Sequence, residues 1–397
     1  MTTTSNDYLF WSLGVPLLAC SLAVVVVLLT LHQKDRWDRP DDQLRTDLRH
    51  IPPEWIGYRQ TAAFACPIEG QATCFALFGD STFVIGSADP PMLSFFDDTG
   101  TLLRTIDLPE EPRAIVCGTP ETIFTDKIVV AHPRSIVVYS AEGQPEFFLR
   151  APPSGPGDIV ISGTTRSMDD RESQSRSLVL TPDYLFVAES GNRRIYRFSA
   201  DSRSFLEAGM FVFSRSSDVG YLSYWDHFSF GAKAESPEVN FDWIQMARGF
   251  DGFIVYAAPI TMTFSPQSDL LYIANPGRHR VDVFTQDGIY QPELSWGEPS
   301  GKLEGFTACC NPIGLAALDD GRMLTVEKGI SRIKIYRTDG TLDTVVAGPD
   351  VLDNLPPELR RAPLEPGGRY FSAVPLSEGR IAVFDFEGLI RIFAPVG

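Results

Sequence analysis

The chain has 397 residues, 44% of them hydrophobic and 21% charged, and a formal net charge of −17 at pH 7. This composition supports one large all-β domain or two ordinary ones and excludes general disorder. The acidic balance excludes nucleic acid as a partner, because a phosphate backbone would be repelled and no Lys/Arg stripe interrupts the sequence.

From Tyr8 to Leu31 no residue is charged, a run long enough for a helix to cross ~30 Å of hydrocarbon. Pro16 would kink such a helix without preventing insertion. A cleaved signal peptide fits less well, since "MTTTSND" has no Lys or Arg and the apolar run is long. Leu17–Cys20 resembles a lipobox, yet the residues after Cys20 stay apolar to Leu31. The expectation is one transmembrane helix over 8–31, making the protein single-pass with the membrane as a partner. Lys34, Arg36 and Arg39 flank its C-terminal end and would by charge alone keep the rest cytoplasmic. Residues 32–54 read as a charged juxtamembrane linker ending in Pro52-Pro53.

Beyond residue 55 one strand recurs, ending in an aromatic residue and a turn: "MLSFFDDTG" (92–100), "SIVVYSAEG" (135–143), "RIYRFSADS" (194–202), "RVDVFTQDG" (280–288), "RIKIYRTDG" (332–340) and "LIRIFAPVG" (389–397). Apolar and polar residues mostly alternate before each turn, the period of a strand, and glycine admits the positive φ of a tight hairpin. Nine residues before the aromatics Phe96, Phe198, Phe284 and Tyr336 stand Ser87, Glu189, Asn275 and Glu327, each closing an earlier apolar run. Four antiparallel strands repeated six times predict an all-β, six-bladed β-propeller over 55–397. The chain ends on the third strand of its last blade, so "YRQTAAFAC" (58–66) is expected to supply the fourth and close the ring.

The segments "SGNRRIYRFSAD", "NPGRHRVDVFTQDG" and "EKGISRIKIYRTDG" resemble NHL-repeat propellers, and the stretch from Cys309 to Gly340 is similar to a blade of uncharacterised bacterial membrane-anchored members. The resemblance implies a propeller scaffold with an extracytoplasmic domain, and says little about a reaction.

Several residues are candidate sites. Glu189 with Arg194, Asn275 with Arg280, and Glu327 with Arg332 lie five apart across the turn between second and third strands. They are expected to brace their hairpins, with a polar rim around the channel as the functional alternative. Cys309 and Cys310, in the loop leading into blade 5, could share one mouth with His132 and His279 as soft metal ligands, although no chelating spacing supports them. A strained vicinal disulfide and plain packing are the other readings of the two cysteines, and Cys66 and Cys74 could bridge a short loop. Residues 211–253 are too long for a blade connection, and Tyr221, Tyr224, Trp225, Phe228 and Trp243 make them a candidate binding surface for a protein partner.

No nucleophile elbow, P-loop or dinucleotide fingerprint is present in the sequence. The leading expectation is therefore a non-catalytic, membrane-anchored binding or assembly module without a cofactor. The alternatives are an extracytoplasmic lyase or hydrolase, metal-dependent at the channel mouth, and an accessory subunit of a membrane redox complex using Cys309 and Cys310.

Overall fold

The computed structural model describes residues 49–133, 135–149, 159–162, 176–190, 193–199, 205–207, 244–246, 249–255, 259–307, 310–355 and 371–396. Of its two compact units, Met1–Arg49 contributes only Arg49 to that description, and His50–Gly397 carries the fold. The expected membrane helix at 8–31 falls outside the described residues. Among those described, no helix is long and apolar enough to cross a membrane.

Short alternating runs punctuated by glycine turns become strands, and the described strands form six sheets. Blade 1 runs Ala72–Phe78, Thr82–Ala88, Pro91–Phe96 and Leu102–Asp107. Blade 2 runs Ala114–Cys117, Ile128–Ala131, Ile136–Tyr139 and Pro145–Leu149. Blade 3 is built on Arg176–Leu180, Tyr184–Glu189 and Arg194–Ser199, and blade 4 on Met262–Ser265, Leu270–Asn275 and Arg280–Thr285. Blade 5 runs Gly314–Ala317, Met323–Glu327, Arg332–Tyr336 and Leu342–Ala347. The first strand of each blade touches that of the next, and blade 6 returns to blade 1, so the ring is closed.

Blade 6 begins with Phe371–Pro375, Ile381–Asp385 and Leu389–Pro395, and its outer strand is Tyr58–Ala65. The pairing runs antiparallel from Tyr58 opposite Pro395 to Ala65 opposite Leu389. This pairing covers the outer edge of blade 6, which an open array would expose.

Two blades depart from the uniform repeat. In blade 3 the fourth strand, Ile159–Ser162, comes from upstream of the first, and Ile244–Met246 adds a parallel fifth. The strand Phe205–Glu207 turns back to pair with Pro145–Leu149 of blade 2. The ends flanking residues 208–243 are thus fastened to the outer edges of two successive blades. In blade 4 an irregular segment takes the outer position, with Val281 and Trp296 exchanging backbone hydrogen bonds of 2.7 and 3.0 Å.

Every blade is covered on both faces by its neighbours, which decides where the polar positions go. In blade 5, Ile333 and Ile335 pack with Phe371, Ile381 and Val383 of blade 6. On the opposite face, Met323 and Tyr336 pack with Tyr272, Val281 and Val283 of blade 4, together with Trp296 and Phe306. The turn after the third strand is tight enough to need glycine: Gly340 sits at φ +79°, and a Cβ there would collide with the Trp296 side chain.

Candidate functional site

At the end of the second strand of each blade, or within one residue of it, stands a polar residue: Ser87, His132, Glu189, Asn275, Glu327 and Asp385. None is more than 1% exposed. Of the residues of the alternative polar rim, Glu189, Asn275, Glu327 and Arg332 lie in a buried girdle, while Arg194 and Arg280 are half-buried. In blades 2, 4 and 5 the loop leading into the inner strand passes over the girdle position, and its backbone groups need partners away from water.

Blade 5 holds its loop with charge. Glu327 and Arg332 are register partners, and Arg332 donates to Glu327 Oε2 at 2.7 Å and to Thr307 Oγ1 at 2.7 Å. The Thr307 backbone N–H also donates to Glu327 Oε2, at 3.3 Å. Lys334 Nζ lies 2.7 Å from Glu327 Oε1 and donates to the carbonyls of Leu303 and Gly305 at 2.9 and 2.8 Å. Tyr336 donates to the Glu304 carbonyl at 2.9 Å. Asn311 completes the clamp, donating to Thr307 and Lys328 carbonyls and accepting the Lys328 N–H. Burial pulls the Lys334 ammonium down to about 8, with Glu327 opposing it, and lifts the Tyr336 hydroxyl well above its ordinary value.

Blade 4 does the same work with an amide. Asn275 accepts the Ile254 N–H at 2.9 Å and donates to the Gly252 carbonyl at 3.2 Å and to Asp282 Oδ2 at 2.7 Å. Arg280, opposite Asn275 in register, makes its ion pair with Asp282 instead, at 2.8 Å. Burial raises the Asp282 carboxyl, while Asn275 and Arg280 oppose that shift. In blade 3, Glu189 lies opposite Arg194 and accepts from the Tyr196 hydroxyl at 3.5 Å. Burial, then the Glu189 charge, lifts the Tyr196 hydroxyl above its ordinary value. In blade 6, Arg391 reaches the Asn354 carbonyl at 3.0 Å and lies 4.0 Å from Asp385.

His132 is the girdle residue of blade 2, and both its ring nitrogens are engaged. Nδ1 faces the Glu110 and Glu111 carbonyls at 3.0 and 3.3 Å, which makes it the donor, so Nε2 accepts from Tyr139, 3.1 Å away. That fully buried ring offers no open ligand position, which corrects its assignment to a metal mouth. His279 caps a short 3-10 turn in the left-handed region, at φ 56°. Cys310 is completely buried in the core between blades 5 and 6, while Cys309 lies outside the described residues. Among the described residues, no group of three or more His, Cys, Asp or Glu could hold a metal.

The suggested Cys66–Cys74 bridge is also corrected. Both thiols are free and pack on opposite faces of blade 1, one towards blade 6 and the other towards blade 2. Burial pushes each up to about 12. The candidate surface residues Tyr221, Tyr224, Trp225, Phe228 and Trp243 lie outside the described residues.

The first strands of all six blades enclose a channel of about 450 Å³. Its wall includes Phe75, Val116, Ser177, Thr263, Leu315 and Ser372, one from each blade. Hydroxyls staple neighbouring inner strands: Ser177 accepts the Met262 N–H at 3.3 Å, and Thr263 accepts the Ala317 N–H at 3.1 Å. On the other side, Thr73 donates to the Pro112 carbonyl at 2.5 Å. Sequence reasoning missed this wall, along with Lys334, Asp282, Thr307, Asn311 and the Asp385–Arg391 pair. The available signal was a polar residue two places after each girdle arginine, Asp282 in "RVDVF" and Lys334 in "RIKIY".

No family model matches the chain, and no curated protein matches it. Among solved structures, a structural-genomics protein of unknown function from Bacteroides thetaiotaomicron VPI-5482 is similar at TM-score 0.48 and 13% identity. The similarity covers 86% of this chain and 73% of that one. The NHL resemblance accordingly rests on the repeat motifs alone.

Proposed function

We propose that this protein is a membrane-anchored, non-catalytic propeller of the NHL type that binds a ligand or protein partner and organises an assembly. One observation carries the reading: the buried charges Glu327, Arg332 and Lys334 are committed to holding a loop, while the channel wall carries no acid, base or charged nucleophile among the described residues. An acid–base or metal reaction needs such groups facing a substrate. A rigid ring with a preformed cavity needs only complementarity. In this reading residues 8–31 anchor the chain, the propeller is extracytoplasmic, and Tyr221, Tyr224, Trp225, Phe228 and Trp243 meet the protein partner.

Metal analysis of the full-length chain tests the proposal. The expected result is no stoichiometric zinc, copper or iron. Stoichiometric metal that is lost in Cys309→Ser or His279→Ala would overturn it in favour of the metal-dependent or redox alternatives. Protease accessibility on intact cells checks the orientation, with cleavage of the propeller from outside expected.

A further inference from the structure

The channel differs from the rest of the molecule in one property. Among the described residues twenty-four line it, and none of these is Asp, Glu, Lys, Arg or His. At the chain's overall 21% charged, about five would be expected. Cys117, the one cysteine among these described residues, is neutral as well, because burial pushes its thiol up to about 12.

Its size points the same way. A volume of about 450 Å³ lies inside the range of small-molecule sites, roughly 300–1,000 Å³. Phe75, Phe264, Phe371 and Phe386 supply aromatic wall. Ser177 and Thr263 each accept one backbone N–H from the next blade, which leaves the hydroxyl hydrogen to be donated. Half-buried Ser372 adds a third hydroxyl to the wall. A charged ligand would lose its hydration here and gain no counter-ion, whereas a neutral one loses only weakly held water.

We propose that the channel is a binding site for an uncharged, largely apolar small molecule carrying a hydrogen-bond acceptor such as a carbonyl or ether oxygen. This deepens the binding-module reading and rests on it. The inner-strand hydroxyls then have two roles, stapling neighbouring blades and presenting donors to the ligand.

Photolabelling of the full-length protein in lipid nanodiscs tests the assignment. The probes are 3-trifluoromethyl-3-phenyldiazirine, which is neutral, and its benzoate analogue, which differs by one carboxylate. Adducts are mapped by mass spectrometry. Expected are adducts of the neutral probe on inner-strand peptides spanning 114–117, 262–265 and 371–375, and none there from the benzoate. Raising salt to about 0.5 M screens the repulsion of the −17 chain but not desolvation, so the benzoate should stay excluded. Ser372→Trp and, independently, Val116→Trp fill the channel and should cut inner-strand labelling at least about fivefold. Circular dichroism and unfolding midpoints show whether each variant is folded.

Equal labelling by both probes, or labelling that a folded channel-filling variant leaves unchanged, would overturn the proposal, as would no inner-strand labelling at all. None of these results touches the binding-module reading, which falls instead on stoichiometric metal.

Discussion

The seam between blades 4 and 5 and the central channel lie on opposite sides of one design problem. The seam concentrates Glu327, Arg332 and Lys334, all at most 1% exposed, and every carbonyl they reach belongs to the chain itself. The channel has open volume and, among the described residues, no charged wall residue. Charge in this molecule holds loops in place, and the space left for a guest is neutral. A titratable cluster is therefore a poor guide to the functional site here, although strongly perturbed groups are often taken as one.

Opening the ring would erase the comparison altogether and has the largest expected effect. Deleting residues 58–65 removes the outer strand of blade 6 and leaves Leu389–Pro395 as an unpaired edge. Size-exclusion chromatography should show aggregation, and the cooperative unfolding transition should be lost. A monomeric, cooperatively folding deletion would show that closure is dispensable.

Neutralising the seam comes next. Glu327→Gln leaves Arg332 and Lys334 buried without their shared carboxylate. Denaturant unfolding should show a loss of about 3–5 kcal/mol. A loss below about 1 kcal/mol would place the pair in the class of surface salt bridges.

The smallest effect is a slope with pH. Burial holds Lys334 near 8 in the folded chain, below the ordinary lysine value of 10.5, so between these values the unfolded chain binds more protons. Stability contributed by this group rises with pH across that window. Tyr336, lifted by burial, and the thiols of Cys66, Cys74 and Cys117, pushed by burial from 9.0 to about 12, act in the opposite sense above their ordinary values, so the Lys334 contribution is read below pH 9. Between pH 8 and 9 Lys334→Met should have a lower slope of stability against pH than the unaltered chain. An unchanged slope would mean that Lys334 keeps its ordinary affinity for protons.

How much of this was legible in sequence follows from what periodicity encodes. The nine-residue offset from Phe96, Phe198, Phe284 and Tyr336 placed the second strands, and the missing fourth strand of the last blade pointed to 58–66. Alternation in "RIKIY" puts Arg332, Lys334 and Tyr336 on one face. It could not show that the face is buried, because an isolated strand exposes its polar side and a propeller blade buries both. Hence the bracing of Glu327 by Arg332 was expected and their full burial was not. The outer strand of blade 3 was illegible for another reason: Ile159–Ser162 precedes the strands it joins, and a four-residue apolar run carries no information about a distant partner.

The central claim is that the charged seam holds the fold while the neutral channel binds. It is tested most directly by moving the charge. Glu327→Gln and Val116→Asp are compared for unfolding midpoint and for channel labelling by the neutral diazirine. The account requires the first to lose stability and keep labelling, and the second to lose labelling with far less change in stability. The reverse pattern, or loss of both properties together in both variants, would contradict it.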